Sequence, residues 1–362
     1  MPQTSRTPEN QAFRRILAVE TSCDDTSVAV VESDGAVLGL GSFNQDQAHK
    51  PFGGIVPEVA GRNHTAALLP LIESVLEKSR KTNSADSDTG LTWNDIDGLA
   101  VTNRPGLVGS LLVGLVTVKS LALAKGLPFV GVNHLEGHLL APFLRDPQYQ
   151  PPTDFTYPFA ALAVSGGHTS IYRVNDFGNY DVLGRTVDDA AGEAFDKFAK
   201  MIGLGFPGGV KVDQLSKTGS TTAFDFPRAM IHEPNLNMSF SGLKTAAHNV
   251  VKKITPKEVQ SRLPDLCASY QEAIVDVLIA KLDKMVKQER LSKVVITGGV
   301  SANSRLRSKG AEWAKREGLE FVIPPIRYCT DNAAMIGYAG IQRLNRGERA
   351  DFELGVSPEM SL

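Results

Sequence analysis

Two histidines four residues apart, in the run Asn133-His134-Leu135-Glu136-Gly137-His138, carry the plainest chemical signal in the chain. They follow an apolar strand-like stretch, residues 127–132, and open a helical pattern that ends near Leu144. Residues four apart share one helix face, so both imidazoles can address a single ion. Neutral imidazole is a common ligand for transition metals. A pair is an incomplete site, and a third ligand has to come from elsewhere. Glu136 is not that ligand, because at about 100° per residue it lies roughly 200° round the helix from His134. In zincin metalloproteases the glutamate directly follows the first histidine, so this spacing excludes that class. Asp331 opens the last helical pattern, Cys329-Thr330-Asp331-Asn332-Ala333-Ala334-Met335. It either caps that helix or completes a two-His, one-carboxylate set with positions left open for water or substrate.

Two glycine turns are the second chemical feature. Lys293 to Thr297 reads as a strand that ends in Gly298-Gly299-Val300-Ser301-Ala302-Asn303 and opens a helix, and Ser165-Gly166-Gly167-His168 follows the strand Phe159 to Val164. Glycines between a strand and a helix N-terminus let backbone N–H groups approach a phosphate with no side chain in the way. Both turns occupy mirrored places in a repeated pattern. Val19, a polar turn and Thr26-Ser27-Val28 match Val164, a polar turn and Thr169-Ser170-Ile171. Each half opens with a three-stranded meander, 16–43 and 159–185, and continues with strand–helix units. The expected architecture is therefore a duplicated α/β fold of two lobes around a central cleft, with a ligand where turns converge. The expected boundaries are a disordered tail 1–14, a first lobe 15–146, a proline-rich linker 147–158, a second lobe with a helical insert 159–345, and a tail 346–362.

Composition narrows the class. The 362 residues hold 42% hydrophobic and 22% charged residues with a net charge of −2, as in a soluble globular protein without a global basic field. Cys23, Cys267 and Cys329 are scattered and form no Cys-x-x-Cys, which points to a reducing compartment and away from a zinc ribbon. The apolar run 106–118 is stopped by Lys119 and is too short to span a bilayer. No signal peptide is read at the N-terminus, so the expected location is the cytoplasm, without membrane attachment. The basic run Lys281, Lys284, Lys287, Arg290 and Lys293, with Arg305, Arg307 and Lys309, is either a solvated helix face or an RNA-phosphate surface.

Taken together, His134-Leu135-Glu136-Gly137-His138, Ser165-Gly166-Gly167-His168-Thr169, the run 188–197 (Asp188-Asp189-Ala190-Ala191-Gly192-Glu193-Ala194-Phe195-Asp196-Lys197), Ser239-Phe240-Ser241-Gly242-Leu243-Lys244-Thr245, Thr297 to Asn303 and Thr330 to Ile336 resemble the bacterial TsaD family over about residues 14–345. These are tRNA N6-adenosine threonylcarbamoyltransferases of the actin/Hsp70/sugar-kinase group of folds. The resemblance implies transfer of threonylcarbamoyl from threonylcarbamoyl-AMP to N6 of adenosine 37, in tRNAs that read codons starting with A. It implies a divalent metal, iron(II) or alternatively zinc, on His134, His138 and Asp331. It implies a donor site lined by Val164, Ser165, Gly166, Gly167, His168, Asp196, Gly209, Asp213 and Asn303. Implied partners are tRNA, the smaller paralogue TsaB and the ATPase TsaE, with TsaC or a relative making the donor; a homodimer is the alternative assembly. Asp24 and Asp25 are the candidates for general base. One departure stands out: Arg104 occupies the first glycine of the family's usual Gly-Pro-Gly-Leu-Val-Gly turn. The rival reading is an ATP-dependent kinase of a sugar or carboxylate on the same fold.

Overall fold

A computed structural model describes residues 12–79, 90–359 and 362. Most of the expected tail 1–14, and residues 82–89 of a polar loop, lie outside the described residues. The chain forms two compact units, residues 1–153 with 331–362, and residues 154–330.

The first unit opens with β1 (Arg15–Glu20), β2 (Thr26–Glu32) and β3 (Val37–Phe43), an antiparallel meander. β1 and β2 are buried along their whole length, as unbroken apolar runs such as Ile16-Leu17-Ala18-Val19 demand. After a single turn, α1 (Asp46–His49), comes α2 (Pro57–Lys78), which packs on β2 and β3. Proline suits its first position because the N–H it lacks would find no helical partner there. β4 (Gly98–Arg104), α3 (Val108–Lys125) and β5 (Phe129–Asn133) extend the sheet with parallel strands, giving the order β3-β2-β1-β4-β5. α4 (His134–Leu140) follows β5 directly.

The second unit repeats this plan. β6 (Phe159–Val164), β7 (Thr169–Asp176) and β8 (Asn179–Arg185) form the meander. The helical insert is α5 (Ala191–Met201), α6 (Gly209–Ser216), α7 (Ser241–Lys252), α8 (Pro256–Ser261) and the long, mostly buried α9 (Leu263–Glu289). Then β9 (Lys293–Thr297), α10 (Ser304–Glu317), β10 (Glu320–Val322) and α11 (Ile326–Cys329) complete the unit. The sheet order β8-β7-β6-β9-β10, with β9 and β10 parallel to β6, matches the first sheet strand for strand. The duplication legible in the two meanders is real.

Two boundaries differ from expectation. The last helix, α12 (Ala333–Asn345), belongs to the first unit and packs on β1, β2, β4, β5 and α4. Its small residues permit this: a Cβ at Gly340 would stand 2.3 Å from the Ala100 Cβ, and one at Gly337 would stand 2.7 Å from Val31 Cγ2. A linear reading of the chain could not reveal which core such a helix joins. Residues expected as a tail pack on the first unit, since Lys119 Nζ donates to the carbonyls of Phe352 (2.7 Å) and Leu354 (2.6 Å). That lysine does not stop α3, which runs on to Lys125 with a mean hydropathy of 1.6 and is the one described helix long and apolar enough to cross a membrane. One side of α3 packs on β4 and α2, while Val108, Leu112, Val116 and Leu123 are exposed on it.

Candidate metal centre and nucleotide pocket

The first unit brings His134, His138 and Asp331 together from α4 and the start of α12. Asn133 caps α4, accepting from Leu135 N at 2.8 Å, which sets the first histidine at the very start of the helix. The imidazole centroids lie 4.7 Å apart with the rings perpendicular. Each Nε2 is 3.3 Å from Asp331 Oδ1. Asp331 is not the helix cap: Asn332 takes that role by accepting from Met335 N (3.0 Å), so the Asp331 carboxylate is left to the histidines. Glu136 does point away, paired with Arg343 of α12 at 2.8 and 3.0 Å. Gly137 lets the two helices meet, since a Cβ there would lie 2.9 Å from Ile336 Cδ1.

The donor set fits a divalent cation. Two imidazole nitrogens and one carboxylate oxygen all lie within 4.8 Å of one another. Both ring nitrogens of His138 are buried: Nε2 faces Asp331, and Nδ1 has no hydrogen-bond partner among the described residues. Glu20 at the end of β1 supplies the outer support that sequence reasoning missed. Its buried Oε2 is 3.1 Å from His134 Nδ1, and its carboxylate also accepts from Ser22 N (2.6 Å) and from the Thr102 hydroxyl. A carboxylate on Nδ1 fixes the tautomer that offers Nε2 to a metal. Burial opposes charge here, yet Asp331 and Glu20 hold His134 protonated well above the usual histidine range. Burial would likewise raise Asp331, but His134 and His138 keep it well below the usual carboxylate range. His138 is pushed down, mainly by burial.

The polar turn after β1 adjoins this cluster. Asp25 accepts from Asn44 Nδ2 at 2.9 Å, and burial, then Asp24 and Asp331, push it up to about 7. Burial raises Asp24 as well. His64 pins the turn, with Nε2 2.9 Å from the Cys23 carbonyl and Nδ1 2.7 Å from Thr26 Oγ1. All three thiols are pushed up by burial, so no cysteine here is an activated nucleophile. The tight approach in the 103–109 turn falls at Gly106, where a Cβ would lie 2.4 Å from the Ser22 carbonyl. Arg104 is exposed and leaves that contact untouched.

A cavity of about 700 Å³ opens within the second unit. Of the expected donor-site residues, Gly166, Asp196, Gly209, Asp213 and Asn303 line it. Val164 is buried in the core instead, and Ser165, Gly167 and His168 form the adjoining turn without lining the cavity. Gly299 of the second glycine turn, Gly192 of the motif 188–197 and Arg307 of the basic run also line it, and so does Lys217, which the sequence reading did not name. Gly298, at φ +88°, brings the two strand ends together, because a Cβ there would lie 2.4 Å from the Val164 carbonyl. The polar lining groups also brace the wall. Asp196 accepts from Gly208 N (2.7 Å), and Asp213 accepts from Ser304 N (3.0 Å) and Oγ (2.7 Å). Asn303 caps α10 through Leu306 N (3.0 Å) and donates to Gln271 at 2.6 Å.

The basic run around α9 is not a free phosphate surface. Lys281 is fully buried and donates to the carbonyls of Glu233 and Asn235; Lys284 also reaches Glu233. Lys287 pairs with Asp283 and Glu317, Arg305 and Lys309 pair with Glu272, and Lys293 reaches Asp154 and Thr156. Arg307 donates to the Pro324 carbonyl. Only Arg290 of the run remains exposed and unpaired among the described residues.

The chain is similar to known proteins over nearly its whole length. The family model described as tRNA N6-adenosine threonylcarbamoyltransferase matches residues 36–338. A protein of that name from Bdellovibrio bacteriovorus is 60% identical over 347 residues, covering 96% of this chain and 98% of the relative. Another, from Fervidobacterium nodosum, is 46% identical over 336 residues, covering 92% and 94%. Solved structures share the fold at low identity. Component A of the (R)-2-hydroxyglutaryl-CoA dehydratase of Acidaminococcus fermentans has TM-score 0.51 at 12% identity, over 91% of this chain and 98% of that one. HypF of T. kodakarensis has TM-score 0.58 at 9% identity, over 91% of this chain and 48% of that one. The fold is thus the duplicated α/β type of the actin/Hsp70/sugar-kinase group, and nothing among these relatives favours the kinase reading. The chain belongs to the TsaD family and is an acyltransferase that transfers a threonylcarbamoyl group to N6 of adenosine in tRNA.

Proposed function

We propose that the donor is threonylcarbamoyl-AMP, held in the cavity of the second unit, and that the acceptor is adenosine 37 of tRNAs reading codons that start with A. The observation that carries the donor assignment is a cavity of about 700 Å³ bordered by two strand-end glycine turns, a size that suits a nucleotide conjugate. In the reaction, N6 of the adenosine attacks the carbamoyl carbon. A C–N bond forms, the bond from that carbon to the phosphate oxygen breaks, AMP leaves with the electron pair, and the N6 proton is taken up by a base. Asp25 is assigned as that base, its carboxyl poised near neutrality by burial and by Asp24 and Asp331. His134, His138 and Asp331 would hold the divalent ion, iron(II) in our reading, and Glu20 would orient His134. When bound, the ion supplies a Lewis acid with open positions for an oxygen ligand. Such a reaction on tRNA belongs in the cytoplasm.

Gly299→Val tests the donor assignment cleanly. A Cβ at Gly299 meets no atom within 4 Å, so the fold tolerates the side chain while the cavity loses room. Calorimetry is expected to show donor or AMP affinity reduced at least about tenfold with an unchanged melting temperature. Unchanged affinity would place the donor elsewhere.

For the assembly with TsaB, in which TsaE is the further partner, we assign the exposed apolar side of α3. Leu123 is 73% and Val116 57% exposed there, beside exposed Leu69 of α2. Contiguous exposed apolar residues of this kind mark interaction surfaces. Val116→Asp is expected to weaken the TsaB complex about tenfold or more in a titration. Size-exclusion chromatography of the chain alone, with and without the substitution, separates this from a homodimer formed through the same face.

A further inference from the structure

The motif 239–245 and the helix it opens have no role in either site described above. α7 buries Leu243 and Ala247, and Lys244, His248 and Lys252 stand exposed along it at a spacing of four. Lys253 and Lys257 continue the basic character past its end, also exposed. α7 contains no acidic residue, and none of these five side chains has an ion pair or hydrogen bond among the described residues. The contrast with α9 is sharp, since nearly every basic group there is already satisfied within the fold.

The position of α7 is fixed as firmly as its charge is free. Asp188, just before α5, accepts from Ser239 Oγ (2.5 Å), Phe240 N (2.8 Å) and Ser241 Oγ (2.7 Å), so it clamps the start of the helix. These bonds outweigh burial and keep Asp188 below the usual carboxylate range. α7 also packs on α5, and Gly192, Phe195 and Asp196 of α5 line the nucleotide cavity. A polyanion lying on α7 would therefore be held in register with that cavity.

We infer that the exposed face of α7, through Lys244, Lys252 and Lys253 with His248 between, is the docking surface for the phosphate backbone of the tRNA substrate. The inference rests on the tRNA acceptor that the family establishes and adds the surface that receives it. From Lys244 to Lys252 is about 12 Å of helix, the length of about three to four phosphates along one strand. Contacts of this kind position the RNA and do not read its sequence. The charge complementarity of an unneutralised basic stripe and a polyanionic substrate argues for tRNA over a protein partner.

The test compares the full wild-type chain, assembled with its paralogous partner, with the Lys244→Gln/Lys252→Gln/Lys253→Gln variant and a Lys315→Gln control. The probe is unmodified tRNA, titrated between about 50 and 200 mM salt. The expected result is tRNA affinity at least about tenfold weaker in the triple variant, and a log K against log salt slope shallower by about 2 to 3. The KM for tRNA rises, whereas kcat, donor affinity and melting temperature match wild type. An unchanged slope and affinity, or an equal loss in Lys315→Gln, would overturn the inference. Failure of the wild type itself to bind or modify tRNA would instead contradict the function.

Discussion

Protein carrying His134→Ala and His138→Ala is expected to purify without stoichiometric divalent metal, with affinity lowered more than about 100-fold, because even outer-shell changes cost 10- to 100-fold. Threonylcarbamoyl transfer should fall to background in the same protein. The double change also removes the one imidazole partner of buried Glu20, so some stability is lost with it. Asp331→Asn separates the two effects. Asn332 caps α12 independently of its neighbour, so this variant should keep its melting temperature within a few degrees and still lose the metal. Elemental analysis of the purified variants is the measurement. Full metal occupancy in Asp331→Asn would move the metal away from these three residues.

The second large effect is expected at Asp25. Asp25→Asn should lower kcat by about 10²- to 10⁴-fold, the usual contribution of a positioned base. The pH dependence gives the sign. The base acts as the carboxylate, and its carboxyl is raised to about 7, so wild-type kcat/KM should climb with pH and level off above about 7. The Asn variant should lack that limb. Stability should move the opposite way. An acid raised in the folded state favours folding below the ordinary carboxylate range, and that contribution is lost as pH rises through about 7. The Asn variant should therefore melt with less pH dependence between about 4 and 7. A retained limb in the rate profile would assign the base to another group, with Asp24 the next to substitute.

The legible part of this protein is the part written locally. Strand–turn–Thr-Ser–strand in two places gave the duplicated meander, and the i, i+4 histidines gave two members of the metal cluster. What stayed hidden depends on contacts distant in sequence. Glu20 lies 114 residues before His134, and nothing local marks a carboxylate at a strand end as the support of a distant imidazole. The helix 333–345 reads as the close of the second lobe, but its glycines fit the first sheet. The basic run of α9 looked free because ion pairs such as Arg305–Glu272 join residues 33 positions apart. The resemblance named Val164 as a donor-site residue; the strand instead buries it, and the cavity wall begins at Gly166.

The most direct measurement is a transfer assay with labelled threonylcarbamoyl-AMP and unmodified tRNA, run with purified protein together with TsaB and TsaE. Wild type and Asp331→Asn are compared, and AMP release is followed alongside. The predicted result is label entering tRNA with wild type, one AMP released per group transferred, and neither event above background with the variant. Donor bound by wild type with no label reaching tRNA in the presence of active partners would contradict threonylcarbamoyl transfer as the reaction of this site.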